Sequence, residues 1–273
     1  MRTDLASLPV ARVTSDGCAV AYRQVGAGPP LLLLMGVGAA GTAWQAHAEV
    51  YCERFSCIIP DNRGAGQSDD PVGPYSSAQM ADDCARVIEA AGARRVAVVG
   101  ISMGGVIAQQ LALRHSAMVG AMVLVSSWAR CDTYLAEVFD HLRRARAALG
   151  PDDFSQLLQL RIWSPPYVAL HLEELRQARQ EPGATAMSTE AFSAQCAACT
   201  THDALAALAA VDVPTLVTAG EADTFTVPER MVELHGAIAG ARLEFFPGGH
   251  AHHWEDLDRF NDVTLSWLEK VSA

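Results

Sequence analysis

A chain of 273 residues, half of them apolar and 19% charged, can build one large α/β domain with an insertion around a substantial core. Its net charge of −11 argues against a nucleic-acid partner, since phosphate binding wants clustered Lys and Arg, and against adhesion to an anionic membrane surface. The most apolar run near the N-terminus, Leu31 to Met35, is far shorter than a membrane span and has no basic segment before it, so the expected compartment is the cytoplasm.

The seven cysteines, Cys18, Cys52, Cys57, Cys84, Cys131, Cys196 and Cys199, are odd in number and scattered, unlike a disulfide framework. Cys196-Ala197-Ala198-Cys199 has redox or metal spacing. No second pair follows it, and it sits inside a helical pattern, so two small apolar residues on a buried helix face are expected there and no metal.

In chain order, residues 10–23 alternate around Asp16-Gly17 and read as a hairpin. Leu31 to Met35 reads as a fully buried strand. The glycine-rich exit Gly36-Val37-Gly38 that follows lets backbone approach a ligand closely. Phe55 to Pro60 is the next strand. In the turn-rich stretch after it, Asp61 and Arg63 are expected to fix a loop by hydrogen bonds rather than to do chemistry. Ser77 to Ala91 is predicted helical, with Ser77 as N-cap and Gly92 as the stop.

Val96 to Val99 is a short β-branched run expected of a parallel strand covered on both faces. Gly100-Ile101-Ser102-Met103-Gly104 then turns into a helical pattern from Val106 to Leu113. This is a Gly-x-Ser-x-Gly string in strand-turn-helix context. A serine in such a strained turn stands off the sheet edge, and its neighbours two residues away must lack bulk. The backbone N–H of Met103 falls at a helix start, where negative charge is favoured, and is half of a candidate oxyanion hole.

Val119 to Val125 is one more buried strand, ending at Ser126-Ser127-Trp128. From Ala129 to Thr201 strand-helix alternation gives way to helix upon helix, broken at Gly150-Pro151, Ser164-Pro165-Pro166 and Pro182-Gly183. An inserted helical lid, 129–201, is expected between core segments 1–128 and 202–273. Trp128, Tyr134, Phe139, Phe154, Trp163, Tyr167, Met187 and Phe192 supply its large apolar side chains. Strands then recur at Pro214 to Ala219, before Gly220-Glu221-Ala222-Asp223, and at Ala241 to Phe246, before Gly248-Gly249-His250. A helix from Leu257 to Val271 closes the chain.

Functional groups of an open parallel sheet gather at the carboxyl ends of its strands. Read that way, Ser102, an acid from Glu221 or Asp223, and a base from His250, His252 or His253 converge in the order Ser, acid, His. Through Asp61-Asn62-Arg63-Gly64-Ala65-Gly66-Gln67-Ser68 and the three motifs above, essentially the whole chain resembles a lid-bearing α/β-hydrolase with a mostly parallel eight-stranded sheet flanked by helices. The resemblance implies Ser102 as nucleophile, His250 as general base and acid, and Asp223 as the group orienting it. Only His250 follows the paired glycines, and Asp223 holds the motif position. Some relatives carry the acid after the strand that follows the elbow helix, but here Ser126 and Ser127 stand there.

One departure from the pattern is Met35-Gly36-Val37 where many relatives have His-Gly. The second oxyanion donor, a main-chain N–H assigned to Val37 by position, does not need that side chain. Gly36, Trp128, Tyr134, Phe139, Trp163 and Phe225 are expected at the substrate pocket. The resemblance implies a serine esterase, lactonase or thioesterase acting through an acyl-enzyme on a small-to-medium apolar metabolite, with no metal or cofactor and with a homodimer left open. The helical insertion and the Met-Gly loop also resemble hydrolases of secondary metabolism and enol-lactone degradation. The same fold also carries non-hydrolytic chemistry (acyl transfer, perhydrolysis, cofactor-free rearrangement or decarboxylation) and ligand binding without turnover.

Overall fold

The computed structural model describes residues 4–180 and 187–272. Strands β1 (Ala11–Ser15) and β2 (Cys18–Val25) form the expected hairpin, with Asp16 and Gly17 both at positive φ, 45° and 73°, as its two-residue turn demands. With β3 (Pro30–Leu34), β4 (Ser56–Pro60), β5 (Val96–Ile101), β6 (Val119–Val125), β7 (Thr215–Gly220) and β8 (Arg242–Phe246) they make an eight-stranded sheet in the order β1-β2-β4-β3-β5-β6-β7-β8. From β4 onward in that order every pairing is parallel.

The leucines of β3 show how a continuous apolar run serves two faces. Leu32 and Leu34 join one core with Met80, Val106 and Leu111, whereas Leu31 and Leu33 join the other with Tyr51, Phe260 and Leu268. That split is the period-two alternation of a strand covered on both sides. Helices α2 (Ser77–Ala90), α3 (Met103–Arg114) and α8 (Pro228–Ala237) supply the first layer. Helices α1 (Gln45–Tyr51) and α10 (Leu257–Ser272) supply the second, and the single turn α9 (His252–Glu255) precedes α10. Among the described residues no helix is long and apolar enough to cross a membrane.

The N-cap of α2 is Ser76, one residue before the expected Ser77. Ser76 takes the extended conformation and accepts from Gln79 N at 3.1 Å, while the Ser77 hydroxyl instead meets His202 Nδ1 at 3.1 Å.

Between β6 and β7 the chain runs through α4 (Thr133–Ala148), α5 (Pro151–Ile162), α6 (Pro165–Gln180) and α7 (Thr189–Thr200). Prolines open α5 and α6, where a missing N–H costs nothing. The expected break at Pro182-Gly183 lies outside the described residues. The two ends of this helical segment meet: Cys131 N donates to His202 O at 2.9 Å and Ala204 N to Ala129 O at 2.8 Å.

Burial drives His47 and His202 down to about 4 and His252 to about 3, so all three are neutral inside the fold. The unfolded chain, with ordinary histidines near 6.5, binds more protons, and so stability is full above that value and falls with pH below it. Each histidine contributes a slope of about 1.4 kcal/mol per pH unit until its folded value is reached. Urea unfolding is therefore expected at a clearly lower midpoint at pH 5.5 than at pH 7.5. Equal midpoints would contradict the neutral burial of these groups.

Candidate active site

Ser102 sits between β5 and α3 with φ 54° and ψ −115°, a left-handed backbone that a non-glycine residue holds only when its surroundings force it. Two glycines create that force by letting backbones touch. A Cβ at Gly100 would lie 2.4 Å from Gly104 O, and one at Gly104 only 2.2 Å from Leu34 O. The turn is locked by Ser102 N donating to Val125 O at 2.8 Å and by the Ser127 hydroxyl donating to Ser102 O at 3.0 Å.

The acid and base stand at the ends of the next strands. His250 Nδ1 lies 2.9 Å from Asp223 Oδ2, and the other carboxylate oxygen accepts the amides of Phe225 and Thr226 at 2.8 and 2.9 Å. Phe225 also stacks on the imidazole with ring centroids 4.7 Å apart. With Nδ1 committed to the carboxylate, the ring's free nitrogen is Nε2. Ser102 and His250 line one cavity of about 600 Å³, with Gly36, Val37 and Phe225 also in its wall. None of the described residues lining it is Lys, Arg, Asp or Glu.

Gly36 lies against the serine, since a Cβ there would be 3.4 Å from Ser102 Cβ. Among the described residues neither the Val37 nor the Met103 amide has a hydrogen-bond partner. The loop carrying Val37 is held by three side chains. Asn62 Nδ2 donates to Met35 O at 3.0 Å, Asp61 Oδ1 accepts from Gly41 N at 2.7 Å, and Gln195 Oε1 accepts from Gly38 N at 2.9 Å. Asp61 and Arg63 do form hydrogen bonds that brace their loop: Asp61 also accepts from Arg23 and from Gln67 N, and Arg63 forms a buried two-bond pair with Asp83 at 2.7 Å.

Four aromatic residues expected at the pocket stand elsewhere. Trp128 and Phe139 are fully buried one layer behind, Trp128 against Phe139 and Phe139 edge-on to Phe225, both at 5.5 Å. Tyr134 is on the outside, 45% exposed, with its hydroxyl donating to Thr224 O at 2.7 Å. Trp163 is not among the described residues lining the cavity; it stacks on Tyr167 at 4.5 Å and lies 5.8 Å from Trp254, which does line it. The wall is made instead by Leu158, Ile162, His253, Trp254 and the small residues of the loop after β3.

Residues without a sequence signal complete the frame. Ser126, itself at φ 47°, donates to His250 O at 2.9 Å and meets His252 Nδ1 at 3.2 Å. The Glu255 carboxylate accepts from Gly249 N at 3.0 Å and from Ser164 N at 2.8 Å, and the Ser164 hydroxyl donates to it as well. His252 bonds to Thr218 Oγ1 at 3.1 Å. The buried cysteines, Cys196 and Cys199 included, are free, with burial pushing the Cys196 thiol up to about 12. Among the described residues no cluster of three His, Cys, Asp or Glu is arranged to hold a metal ion.

A serine in a forced turn and an aspartate-paired histidine on one cavity, beside two amides unpaired among the described residues, are groups that nucleophilic hydrolysis can use. The chain belongs to the α/β-hydrolase fold family, whose model matches residues 29–257, and it is a hydrolase. It is 30% identical over 251 residues to an Azorhizobium caulinodans protein named "Putative carbamate hydrolase RutD", covering 92% of this chain and 95% of that one. It also resembles the structure of a hydrolase from Pseudomonas aeruginosa, at 30% identity and a TM-score of 0.85 over 95% of this chain and 98% of that one. A thermophilic esterase from Thermogutta terrifontis superposes with a TM-score of 0.87 at 27% identity, over 97% and 100% of the two chains.

The crowding at the serine turn gives a direct test. Gly104→Ala forces a methyl into Leu34 O and is expected to destabilise by about 1–3 kcal/mol or more in urea unfolding. Gly150→Ala, where a methyl meets nothing within 4 Å, is the control and is expected to change stability by less than about 1 kcal/mol. Equal effects would contradict the contact.

Proposed function

We propose that this hydrolase cleaves an ester, lactone or thioester of a small-to-medium, uncharged metabolite through an acyl-enzyme on Ser102. The observation that carries the reading is His250, paired with Asp223, lining the same cavity as Ser102. In the first half-reaction His250 Nε2 takes the Ser102 proton as Oγ attacks the carbonyl carbon, and Asp223 stabilises the imidazolium that results. The negative oxygen that develops is received by the N–H groups of Val37 and Met103. His250 then returns the proton to the leaving group. In the second half-reaction it activates the water that frees Ser102.

The wall supports the substrate class. With no Lys, Arg, Asp or Glu among the described residues lining the cavity, none of those residues compensates a buried carboxylate or ammonium, whereas apolar groups are accommodated. The helical segment from α4 to α7 acts in this reading as a lid, because Leu158 and Ile162 of α5 close one side of the cavity. A carbamate ester is a second substrate class, favoured by the name of the Azorhizobium relative, and it presents Ser102 with the same neutral carbonyl.

Kinetics on a panel of p-nitrophenyl esters, lactones and carbamates test the proposal. Ser102→Ala is expected to lower kcat by at least about 10³-fold and Asp223→Asn by about 10⁴-fold, with thermal unfolding of both variants cooperative as in the wild type. Turnover that survives Ser102→Ala would sink the acyl-enzyme on Ser102.

A further inference from the structure

Gln195 is fully buried in α7, and its carboxamide joins two loops of the core. Its Oε1 accepts from Gly38 N at 2.9 Å, and its Nε2 donates to Arg63 O at 2.9 Å. The amide fits only one way round, because a main-chain N–H must face an acceptor and a carbonyl must face a donor. One turn earlier on the same side of α7 stands Phe192, whose ring would lie 3.2 Å from a Cβ on Gly38. Gly38 itself holds a positive φ of 83°. A hydrogen bond and an aromatic ring from α7 therefore meet at the residue next to Val37.

The support behind that contact is firm. Helix α7 buries seven of its residues, whereas α5 and α6 bury one each. The other end of the Gln195 bridge, Arg63, is tied to Asp83 of α2 by two bonds at 2.7 Å. The consequence for Val37 follows from backbone geometry. The Gly38 N–H shares a rigid plane with the Val37 carbonyl, and only the two soft dihedrals of Val37 separate that plane from the one carrying the Val37 N–H. Fixing the Gly38 amide thus restricts where the Val37 N–H points. Met35, the residue before Gly36, has a thioether and brings no side-chain donor to brace this loop.

We propose that Gln195 is a positioning residue for the oxyanion hole: by holding Gly38 N it aims the Val37 N–H at the oxygen that becomes negative. The inference rests on the reading of the cavity as the ester-cleaving site. Gln195 is not among the described residues lining that cavity, so it acts through the loop rather than on the substrate. On this account α7 is part of the catalytic frame, and the helical segment supplies more than a cover.

The test removes the bond in two ways. Gln195→Met removes the amide at nearly equal volume, and Gln195→Asn keeps the amide but draws it back by one methylene. Cys196→Ala, on the same buried helix, is the control for a loss of packing alone. With p-nitrophenyl butanoate, each Gln195 variant that melts cooperatively is expected to lose at least about tenfold in kcat with KM within about threefold. Cys196→Ala is expected to melt lower and to keep kcat within about threefold.

A second readout reports the hole itself. The ketone 1,1,1-trifluorohexan-2-one adds Ser102 Oγ to its carbonyl and leaves a negative oxygen, with the serine proton passing to His250, whereas 1,1,1-trifluorohexan-2-ol forms no adduct. The Ki of the ketone is expected to rise in the Gln195 variants by about the factor that kcat/KM falls, and that of the alcohol to stay within about threefold. Hydrogen exchange in residues 36–40 is expected to be faster in the Gln195 variants than in wild type or Cys196→Ala. In an active wild type, a kcat loss no greater than that of Cys196→Ala, a loss confined to KM, or a ketone Ki that does not move would overturn the role of Gln195. A folded wild type with no ester turnover and no Ser102 adduct, in which exchange at 36–40 still depends on Gln195, would overturn the ester reading instead.

Discussion

The structure depends first on a steric constraint: β5, α3 and β3 pass so close at Ser102 that no side-chain atom fits between them. Gly100 and Gly104 satisfy it with their missing Cβ atoms. The left-handed serine backbone between them follows from the same crowding. Strain of this kind costs about 1–3 kcal/mol and persists only where surrounding contacts over-determine it. Here the contacts are the amide bond to β6 and the hydroxyl of Ser127, so the strand next to the serine holds the turn. The proposed chemistry draws on that geometry, because the turn that lifts the serine off the sheet edge also leaves the first amide of α3 unpaired among the described residues.

The remaining parts are brought to the serine by contacts distant in sequence. The loop after β3 is braced by Asn62 and Asp61 from one side and by Gln195 of α7 from the other. The loop after β8 is braced by Ser126 beneath His250 and by Glu255, which ties Gly249 to the α5–α6 junction at Ser164. The helical segment is thus joined to the core on both sides of the cavity, through Gln195 and through Ser164. In the proposed reading, motion of that segment and positioning of His250 and Val37 are coupled through these two side chains.

Much of this was legible in the sequence because it is local. Strand β6 falls on Val119–Val125 as expected, the Asp16-Gly17 turn follows from its residue types, and the Gly-x-Ser-x-Gly string carries its own steric logic. The pocket wall was not legible in the same way. Trp128 and Phe139 have the composition of pocket aromatics, but their side chains turn into the core behind Phe225. His253 and Trp254 read as a loop after the base, and only the turn of α9 carries them to the cavity. Gln195, separated by 157 residues from the loop it braces, has no local pattern to announce it. Periodicity reports which face of an element is buried; it does not report which buried face borders a cavity.

The central claim is that Ser102 is a nucleophile activated by His250. The most direct measurement is intact-mass spectrometry with peptide mapping of the folded protein after exposure to a fluorophosphonate, beside His250→Ala. The account predicts one adduct, on Ser102, in the wild type, and labelling slowed by orders of magnitude in the variant. A folded wild type that takes no adduct, or takes it on another residue, would contradict the account.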